Sequence, residues 1–336
     1  MIVEHSNLQL ENDTLIDLGQ AMPQYLTHSR ADNTIKTYKV GYDKWKNWAE
    51  HYHVKPLPAN PVTFALFILS LIQTGHTKST IEMCFYSVKY FHVAVFMEDP
   101  TAHPLAEEML EVAKRLCKKP TNRKVPLTLE ELTKIHALLE THPPSLKNMR
   151  TSLMFILAFA GFLRFDELSR IRCGDIQFSE TYVKIFLESS KTDVYRDGRW
   201  VHIAGNSSSP TCPLLNLKRY LHKAGLNTEK EHHRDKYIFR ALSSTKKSEK
   251  LRDTNKPLSY TRVREIVLAA CKSIGLNHKL YGTHSLRSGG ASCAANVGVP
   301  DRLFKRHGRW TSDKAKDMYV KDNLDRLLTV TKSMCL

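Results

Sequence analysis

The first third of the chain spaces its apolar residues as a helix does. Apolar and aromatic side chains recur every three or four residues from Ile35 to Tyr52, which is the period of one helix face. Asp32 and Asn33 stand just before this run, where either could cap the helix. Further periodic segments cover residues 62–73, 79–96 and 105–116. The pattern predicts a bundle of four or five short helices.

A basic segment separates this region from the rest of the chain. Six of the eleven residues from Lys114 to Lys124 are basic, and a proline interrupts the run. Such a run is either a solvated tether or a strap on a phosphate backbone, and we favour the strap. Thr128 and Glu131 then form a capping box that should begin a new helix. We predict a helical domain at 12–117, a basic interdomain linker at 118–126 and a second domain at 127–336.

The second domain mixes helical and strand patterns. A long apolar run predicts one helix over about 147–171. Residues 182–187 and 200–203 are rich in β-formers and flank a polar turn, which is typical of a β-hairpin. From about Pro213 the pattern is helical again, and 243–250 is predicted to be a polar loop. The fold class predicted is mainly α with a small β-sheet (α+β).

The charge favours a polyanion as the partner. The chain has 50 Lys and Arg against 34 Asp and Glu, a net charge of +16. Of those 50 basic residues, 36 follow Pro126. A basic side chain that neutralises a phosphate releases a condensed counterion, which drives binding to nucleic acid. The same charge could serve solubility alone, since net charge does not determine fold.

Cysteine and hydropathy patterns argue against several classes of protein. The seven cysteines are scattered singly without a C-x-x-C pair, which disfavours a zinc ribbon or a disulfide framework. No basic and then apolar signal opens the chain. The apolar stretches 62–72 and 153–163 are each about half the length that a bilayer requires. We expect a soluble intracellular protein in a reducing compartment, without a membrane partner.

The most specific motif lies near the C-terminus. His284 and Arg287 are three residues apart, on one face of a predicted helix. The small residues at 289–291 would let another helix approach closely. A Gly-Arg-Trp sequence ends at Trp310, and Tyr319 follows nine residues later. A tyrosine hydroxyl beside an arginine and a histidine is the arrangement that a phenol needs to attack a phosphodiester.

Two earlier positions would complete such a site. Arg164 ends a long apolar run, where an arginine is costly unless it meets an anion. That anion is either Glu167, three residues later, or a phosphate toward which Glu167 orients the guanidinium. Lys191 lies in the turn between the two candidate strands. It is either a solvated turn residue or an ammonium that gives a proton to a departing alkoxide.

Together, in this order, the motifs resemble the catalytic set of the tyrosine recombinase (phage-integrase-like) family. The matching elements are Leu163-Arg164-x-x-Glu167-Leu168, Ser190-Lys191-Thr192, His284-x-x-Arg287, Gly308-Arg309-Trp310 and Tyr319. The first domain is similar in kind to the family's core-binding (SAM-like) domain, without a specific motif. Among relatives, the chain most resembles recombinases of eukaryotic mobile elements of the DIRS and Crypton groups. The fold implied is a core-binding domain and a catalytic domain that form a C-shaped clamp on DNA.

The resemblance implies a role for each residue. Arg164 and Arg287 would clamp the scissile phosphate. Lys191 would protonate the 5′-oxygen that leaves, and His284 would assist proton transfer or position the phosphate. Tyr319 would attack the phosphorus and form a 3′-phosphotyrosyl link. The implied activity is site-specific DNA recombination or integration for a mobile element, without metal, ATP or another cofactor.

One position departs from the family's commoner pattern. Trp310 takes the place that is histidine in many members, and its indole N–H could still donate. In the commoner Leu-Gly-His pattern the glycine directly precedes the histidine, whereas Arg309 intervenes here. The spacing to Tyr319 favours Trp310, but Arg309 or His307 could contribute.

The resemblance also implies partners and leaves two alternatives. Double-stranded DNA is the expected partner, and the protein would be nuclear if eukaryotic. Candidate DNA contacts in the linker are Lys118, Lys119, Arg123 and Lys124. An apolar stripe near the C-terminus either packs on its own core or forms a helix exchanged between protomers, giving dimers or tetramers on DNA; it comprises Leu324, Leu327 and Leu328. The alternatives are an inactive domesticated DNA-binding protein and a type IB topoisomerase, although His284-x-x-Arg287 and the short C-terminus favour the recombinase.

Overall fold

The computed structural model describes residues 12–27, 29–117, 123–188, 198–245 and 248–334. Contacts between Cα atoms divide the chain into two units, residues 1–122 and 123–336. Helices dominate both units and a small sheet occurs in the second, which confirms the predicted fold class. No helix among these described residues is long and apolar enough to cross a membrane.

The described part of the first unit consists of five α-helices, as the helical spacing predicted. They are α1 (Asp13–Thr27), α2 (Asp32–His51), α3 (Pro61–Gln73), α4 (Lys78–Ala94) and α5 (Pro104–Leu116). The core of the unit buries Trp45, Phe64 and Phe67. The predicted cap of α2 is wrong, because Ala31 occupies the cap position and Asp32 lies in the first turn. There its negative charge still favours the helix dipole.

The second unit is built around one buried helix. Its helices are α6 (Leu129–Leu139), α7 (Leu146–Ala160), α8 (Phe165–Ser169), α9 (Pro213–Lys223), α10 (Tyr260–Ser273), α11 (Thr283–Asn296), α12 (Asp301–Gly308), α13 (Asp313–Asp317) and α14 (Leu324–Ser333). The predicted capping box opens α6: Glu131 N donates to Thr128 Oγ1 at 3.1 Å, and Thr128 N donates to Glu131 Oε2 at 2.8 Å. Helix α7 is buried along most of its length, and α6, α9 and α11 pack around it.

A three-stranded antiparallel sheet covers part of this core, and its hairpin was predicted. The strands β1 (Ile176–Phe178), β2 (Tyr182–Leu187) and β3 (Arg199–Ala204) pair in that order. Their inner face buries Val183, Ile185, Val201 and Ile203. The predicted loop at 243–250 is wrong, because β4 (Leu242–Ser244) and β5 (Glu249–Leu251) form a second hairpin. These strands are short and polar and carry no alternating signal. Glu249 anchors them, since its Oε2 accepts from Ser145 Oγ at 2.9 Å and from Lys147 N at 3.1 Å.

The predicted single helix over 147–171 is also wrong. Helix α7 ends at Ala160, and Gly161 is its cap. Phe162 follows with a φ of 47°, in the left-handed region that a helix cannot continue through. Helix α8 begins only at Phe165. The break removes Arg164 from the helical register and places it at the N-cap of α8, with φ −74° and ψ 162°.

Two glycines of α11 touch the backbone of neighbouring segments, as the small-residue motif predicted. A Cβ at Gly289 would stand 2.1 Å from Leu127 O, and one at Gly290 would stand 2.0 Å from Phe159 O. Real Cβ atoms essentially never come so close to an oxygen. Only glycine at these positions lets α11 lie directly against Leu127, which precedes α6, and against the end of α7.

We expect Gly290→Ala to lower the free energy of unfolding by about 3 kcal/mol, because the added methyl group would force two packed backbones apart. Urea denaturation followed by circular dichroism measures this loss. Gly282→Ala is the matched control, since its Cβ would meet nothing closer than Lys124 Cγ at 3.6 Å. Equal losses in the two variants would contradict the close approach of α11 to α7.

Candidate active site

Helix α11 buries Arg287 completely. Its Nη2 donates to Gly308 O at 2.6 Å, and its Nη1 donates to Phe162 O. Its Nε finds no acceptor among the described residues. Burial, followed by the nearby charges of Arg164 and Arg309, lowers the pKa of Arg287. This one side chain ties α11 to the segment after α7 and to the end of α12.

One buried carboxylate holds three arginines together. Glu167 Oε1 accepts from Arg164 Nη1 at 2.8 Å, and Glu167 Oε2 accepts from Arg309 Nη2 at 2.8 Å. Arg287 Nη1 lies 3.8 Å from the same Oε2. Burial alone would raise the pKa of Glu167, but Arg309, Arg164 and Arg287 hold it below its ordinary value. Three positive charges and one negative charge leave this cluster with a net charge of +2, which suits the binding of an anion.

Arg164 is the member of this cluster that reaches the surface. Its backbone N donates to Glu167 Oε2 at 2.8 Å, in addition to the side-chain ion pair. Its side chain is 13% exposed, whereas that of Arg287 is fully buried. The two interpretations of Arg164 are therefore compatible, because Glu167 binds one nitrogen and leaves the guanidinium open toward solvent.

Tyr319 lies against this cluster. It lies two residues after the end of α13 at Asp317. The guanidinium carbon of Arg287 stands 4.8 Å from the centroid of the Tyr319 ring. The ring centroids of Trp310 and His284 lie 5.6 Å and 6.3 Å from that of Tyr319. The structure thus brings together four of the predicted residues from two separated stretches of the chain.

Trp310 is buried between Arg287 and an apolar cluster. Its ring lies 5.1 Å from that of Phe304 and 4.9 Å from the guanidinium carbon of Arg287. Within the described part of the chain its Nε1 finds no acceptor. A buried N–H without a partner costs about 1–3 kcal/mol, so an added acceptor at Nε1 would be favourable.

The other two candidates for the role of Trp310 are engaged elsewhere. His307 Nε2 lies 2.8 Å from Ala160 O, and burial lowers the pKa of this imidazole. Arg309 binds Glu167, a contact that the sequence did not indicate. The feature of the sequence that could have indicated this contact is the arginine inserted into the family's commoner Leu-Gly-His pattern.

The remaining predicted site residues are basic. Lys191, Lys118 and Lys119 lie outside the described residues. Arg123 and Lys124 are exposed, and Lys124 Nζ donates to Lys279 O at 2.6 Å. The end of the predicted linker therefore runs beside the segment that leads into α11.

Comparison with known proteins identifies the family. A model of the Phage integrase family matches residues 125–326, which is more than half of the chain. The chain is 27% identical over 319 residues to the Integrase/recombinase xerD homolog of Selenomonas ruminantium, covering 94% of this chain and 88% of the relative.

Solved structures share the fold at low sequence identity. The Tn1549 transposon integrase in complex with transposon right end DNA matches with a TM-score of 0.58 at 15% identity, over 94% of this chain and 99% of that chain. The XerH site-specific recombinase bound to difH substrate matches with a TM-score of 0.56 at 16% identity, over 88% and 78%.

The family match covers more than half of the chain and therefore defines the class of protein. The chain belongs to the phage integrase family, that is, to the tyrosine recombinases. Its activity as a class is therefore DNA recombination.

Proposed function

We propose that the protein cleaves and rejoins DNA at specific sites through a 3′-phosphotyrosyl intermediate on Tyr319. The observation that carries this proposal is the position of Tyr319 over Arg287, which shares the Glu167 carboxylate with Arg164. A nucleophile and two guanidinium groups thus occupy one site. Type IB topoisomerases share this chemistry, and the family membership favours recombination.

The proposed clamp binds the scissile phosphate through Arg164, Arg287 and Trp310. The Nε of Arg287 and the Nε1 of Trp310 are donors that find no acceptor in the described chain. Fixed donors of this kind stabilise charge on phosphoryl oxygens by about 3 kcal/mol each, by analogy with oxyanion holes. Because the Tyr319 ring covers the Arg287 guanidinium, this ring must swing aside before a phosphate can enter.

The proposed reaction exchanges one phosphodiester for another. The Tyr319 oxygen forms a bond to phosphorus, and the bond to the 5′-oxygen breaks. His284 assists transfer of the phenolic proton, and Lys191 gives a proton to the departing 5′-oxygen; both roles rest on the resemblance. Because phosphotyrosine conserves the bond energy, rejoining needs no ATP. The arginines supply the charge stabilisation that a metal ion supplies in other phosphoryl-transfer enzymes.

The proposed partner is double-stranded DNA, with a mobile element as the biological source. The net charge of +16 supports DNA binding. Further support comes from the Tn1549 transposon integrase, which was solved in complex with transposon DNA. Candidate contacts from the linker are Lys118, Lys119, Arg123 and Lys124. Placement with the DIRS and Crypton groups, and a nuclear location if the source is eukaryotic, remain predictions.

We further propose that α14 docks on a second copy of the protein. Its apolar residues Leu324, Leu327 and Leu328 are exposed on their own protomer. Near the start of α14, Arg326 Nε donates to Asn296 O at 2.9 Å. A cleft of about 500 Å³ between β3 and α12 is the proposed acceptor, because Val201, Leu303 and Phe304 give it apolar walls. This exchange would build the dimers and tetramers expected on DNA.

Replacing Leu327 by aspartate is expected to prevent assembly beyond one protomer per DNA half-site, because a charge would have to enter an apolar cleft. Analytical ultracentrifugation of the protein with DNA measures the assembly. Thr329→Asp places the same charge on the opposite face of α14 and should leave assembly unchanged. Normal assembly of Leu327→Asp would contradict the exchange of α14.

The proposed activity is tested by trapping the covalent intermediate. The protein is incubated with a pool of nicked DNA suicide substrates, and adducts that survive denaturation are recovered. We expect sequencing of the DNA to give a preferred site, and peptide mapping to place the adduct on Tyr319. DNA binding without any adduct would support the inactive DNA-binding alternative. Relaxation of supercoils without a sequence requirement would instead indicate a topoisomerase.

A further inference from the structure

Arg309 occupies a backbone position that disfavours any side chain. It caps the C-terminus of α12 with φ 58° and ψ 39°, in the left-handed region. Glycine is the usual residue at such a cap, because an L side chain is strained there. An arginine at this position therefore indicates that the side chain has a role that glycine could not fill.

The side chain of Arg309 is directed inward. It is 3% exposed, and its guanidinium donates to four protein oxygens. Nη1 donates to Gly161 O at 3.1 Å and to His307 O at 2.8 Å. Nη2 donates to Phe162 O at 2.8 Å and to Glu167 Oε2 at 2.8 Å. Both terminal nitrogens of Arg309 are therefore engaged with oxygens of the protein itself.

Arg309 competes with Arg287 for the same two oxygens. Both guanidinium groups donate to Phe162 O. At Glu167 Oε2, Arg309 Nη2 is at 2.8 Å and Arg287 Nη1 is at 3.8 Å. Without Arg309, Arg287 would be drawn into a close ion pair with Glu167. A guanidinium held in that way would be less available to a substrate phosphate.

We propose that Arg309 is a positioning residue for the cleavage reaction. Its Nη2 engages Glu167 Oε2, so that Arg164 and Arg287 remain directed toward the scissile phosphate. This inference rests on the proposed function, because it assigns Arg309 to the same site. A purely structural cap would make the opposite prediction, since glycine would then serve as well as arginine or better.

The test compares Arg309→Gly with Arg309→Lys and with Arg302→Met, an exposed arginine at the start of the same helix. Single-turnover cleavage and DNA affinity are measured separately with the trapped substrate. We expect Arg309→Gly to lower the cleavage rate about 100-fold, because small misplacement of catalytic groups has effects of this size. DNA affinity should stay within about twofold, and Arg309→Lys should recover part of the rate. Cleavage by Arg309→Gly at the rate of the unaltered protein would overturn the inference.

A second measurement does not depend on cleavage. The charged groups that face Glu167 are Arg164 before α8, Arg287 on α11 and Arg309 after α12. Removing Arg309 should raise the pKa of Glu167, so less stability should be lost on acidification and the loss should be complete at a higher pH. An unchanged acid profile would overturn the inference. Failure of the unaltered protein to form an adduct would instead overturn the proposed function, and the acid profile would still test Arg309.

Discussion

Replacing Tyr319 by phenylalanine is expected to abolish the covalent DNA adduct while preserving the fold. The ring contacts to Arg287, Trp310 and His284 involve no hydroxyl group, so phenylalanine retains them. Only the attacking oxygen is lost. Removal of a catalytic nucleophile commonly lowers the rate by about 10⁴-fold or more. Trapping with a suicide substrate measures the loss, and thermal unfolding and DNA affinity should stay unchanged.

A second tyrosine provides the control. Tyr260 is an exposed tyrosine of the second unit, and its ring packs 5.3 Å from that of Phe165. Tyr260→Phe should form the adduct at the rate of the unaltered protein. An adduct that survives in Tyr319→Phe would show that another residue attacks the phosphate, and it would remove the central assignment of the site.

The sequence predicted best where the determining contacts are local. The helical spacing from Ile35 to Tyr52 anticipated α2, and the capping box at Thr128 anticipated the start of α6. His284 and Arg287 were placed correctly on one helix, because their relation depends on helix geometry alone. Each of these relations spans only a few residues, which periodicity and capping rules describe well.

The break after α7 was missed because its cause is not local. Gly161 is a local signal for a helix end, but no residue in the apolar run from Leu153 to Leu163 indicates a positive φ at Phe162. That conformation is maintained by tertiary packing, in which the Phe162 ring contacts those of Phe304 and Trp310. These partners lie far along the chain, and the spacing of apolar residues does not indicate them.

The arginine cluster was foreseen only in part for the same reason. The sequence indicated Glu167 as a partner of Arg164, three residues away. It did not indicate that Arg287 and Arg309, more than one hundred residues later, meet the same carboxylate. Side-chain charges that meet across a fold follow from its topology, so they become visible only in three dimensions.

The largest effect on stability is expected for Glu167→Gln. Glutamine keeps the size and one carbonyl oxygen of the side chain but removes the negative charge that faces Arg164, Arg287 and Arg309. Breaking a buried ion pair by removing one partner costs about 3–5 kcal/mol, because the remaining charge stays buried without compensation. Chemical denaturation at neutral pH should show a loss of that size in the free energy of unfolding.

The pH dependence of stability distinguishes the loss of the Glu167 charge from a simple packing defect. The pKa of Glu167 is lowered from its ordinary 4.5, so its charge contributes fully above that pH. The contribution disappears as the pH falls through the lowered value, and the difference between Glu167→Gln and the unaltered protein should shrink with it. Glu265→Gln removes a half-exposed partner 3.0 Å from Arg262 and should cost less than about 1 kcal/mol. Equal losses for the two variants would mean that the three arginines do not depend on Glu167. The clamp proposed for the phosphate would then lose its structural basis.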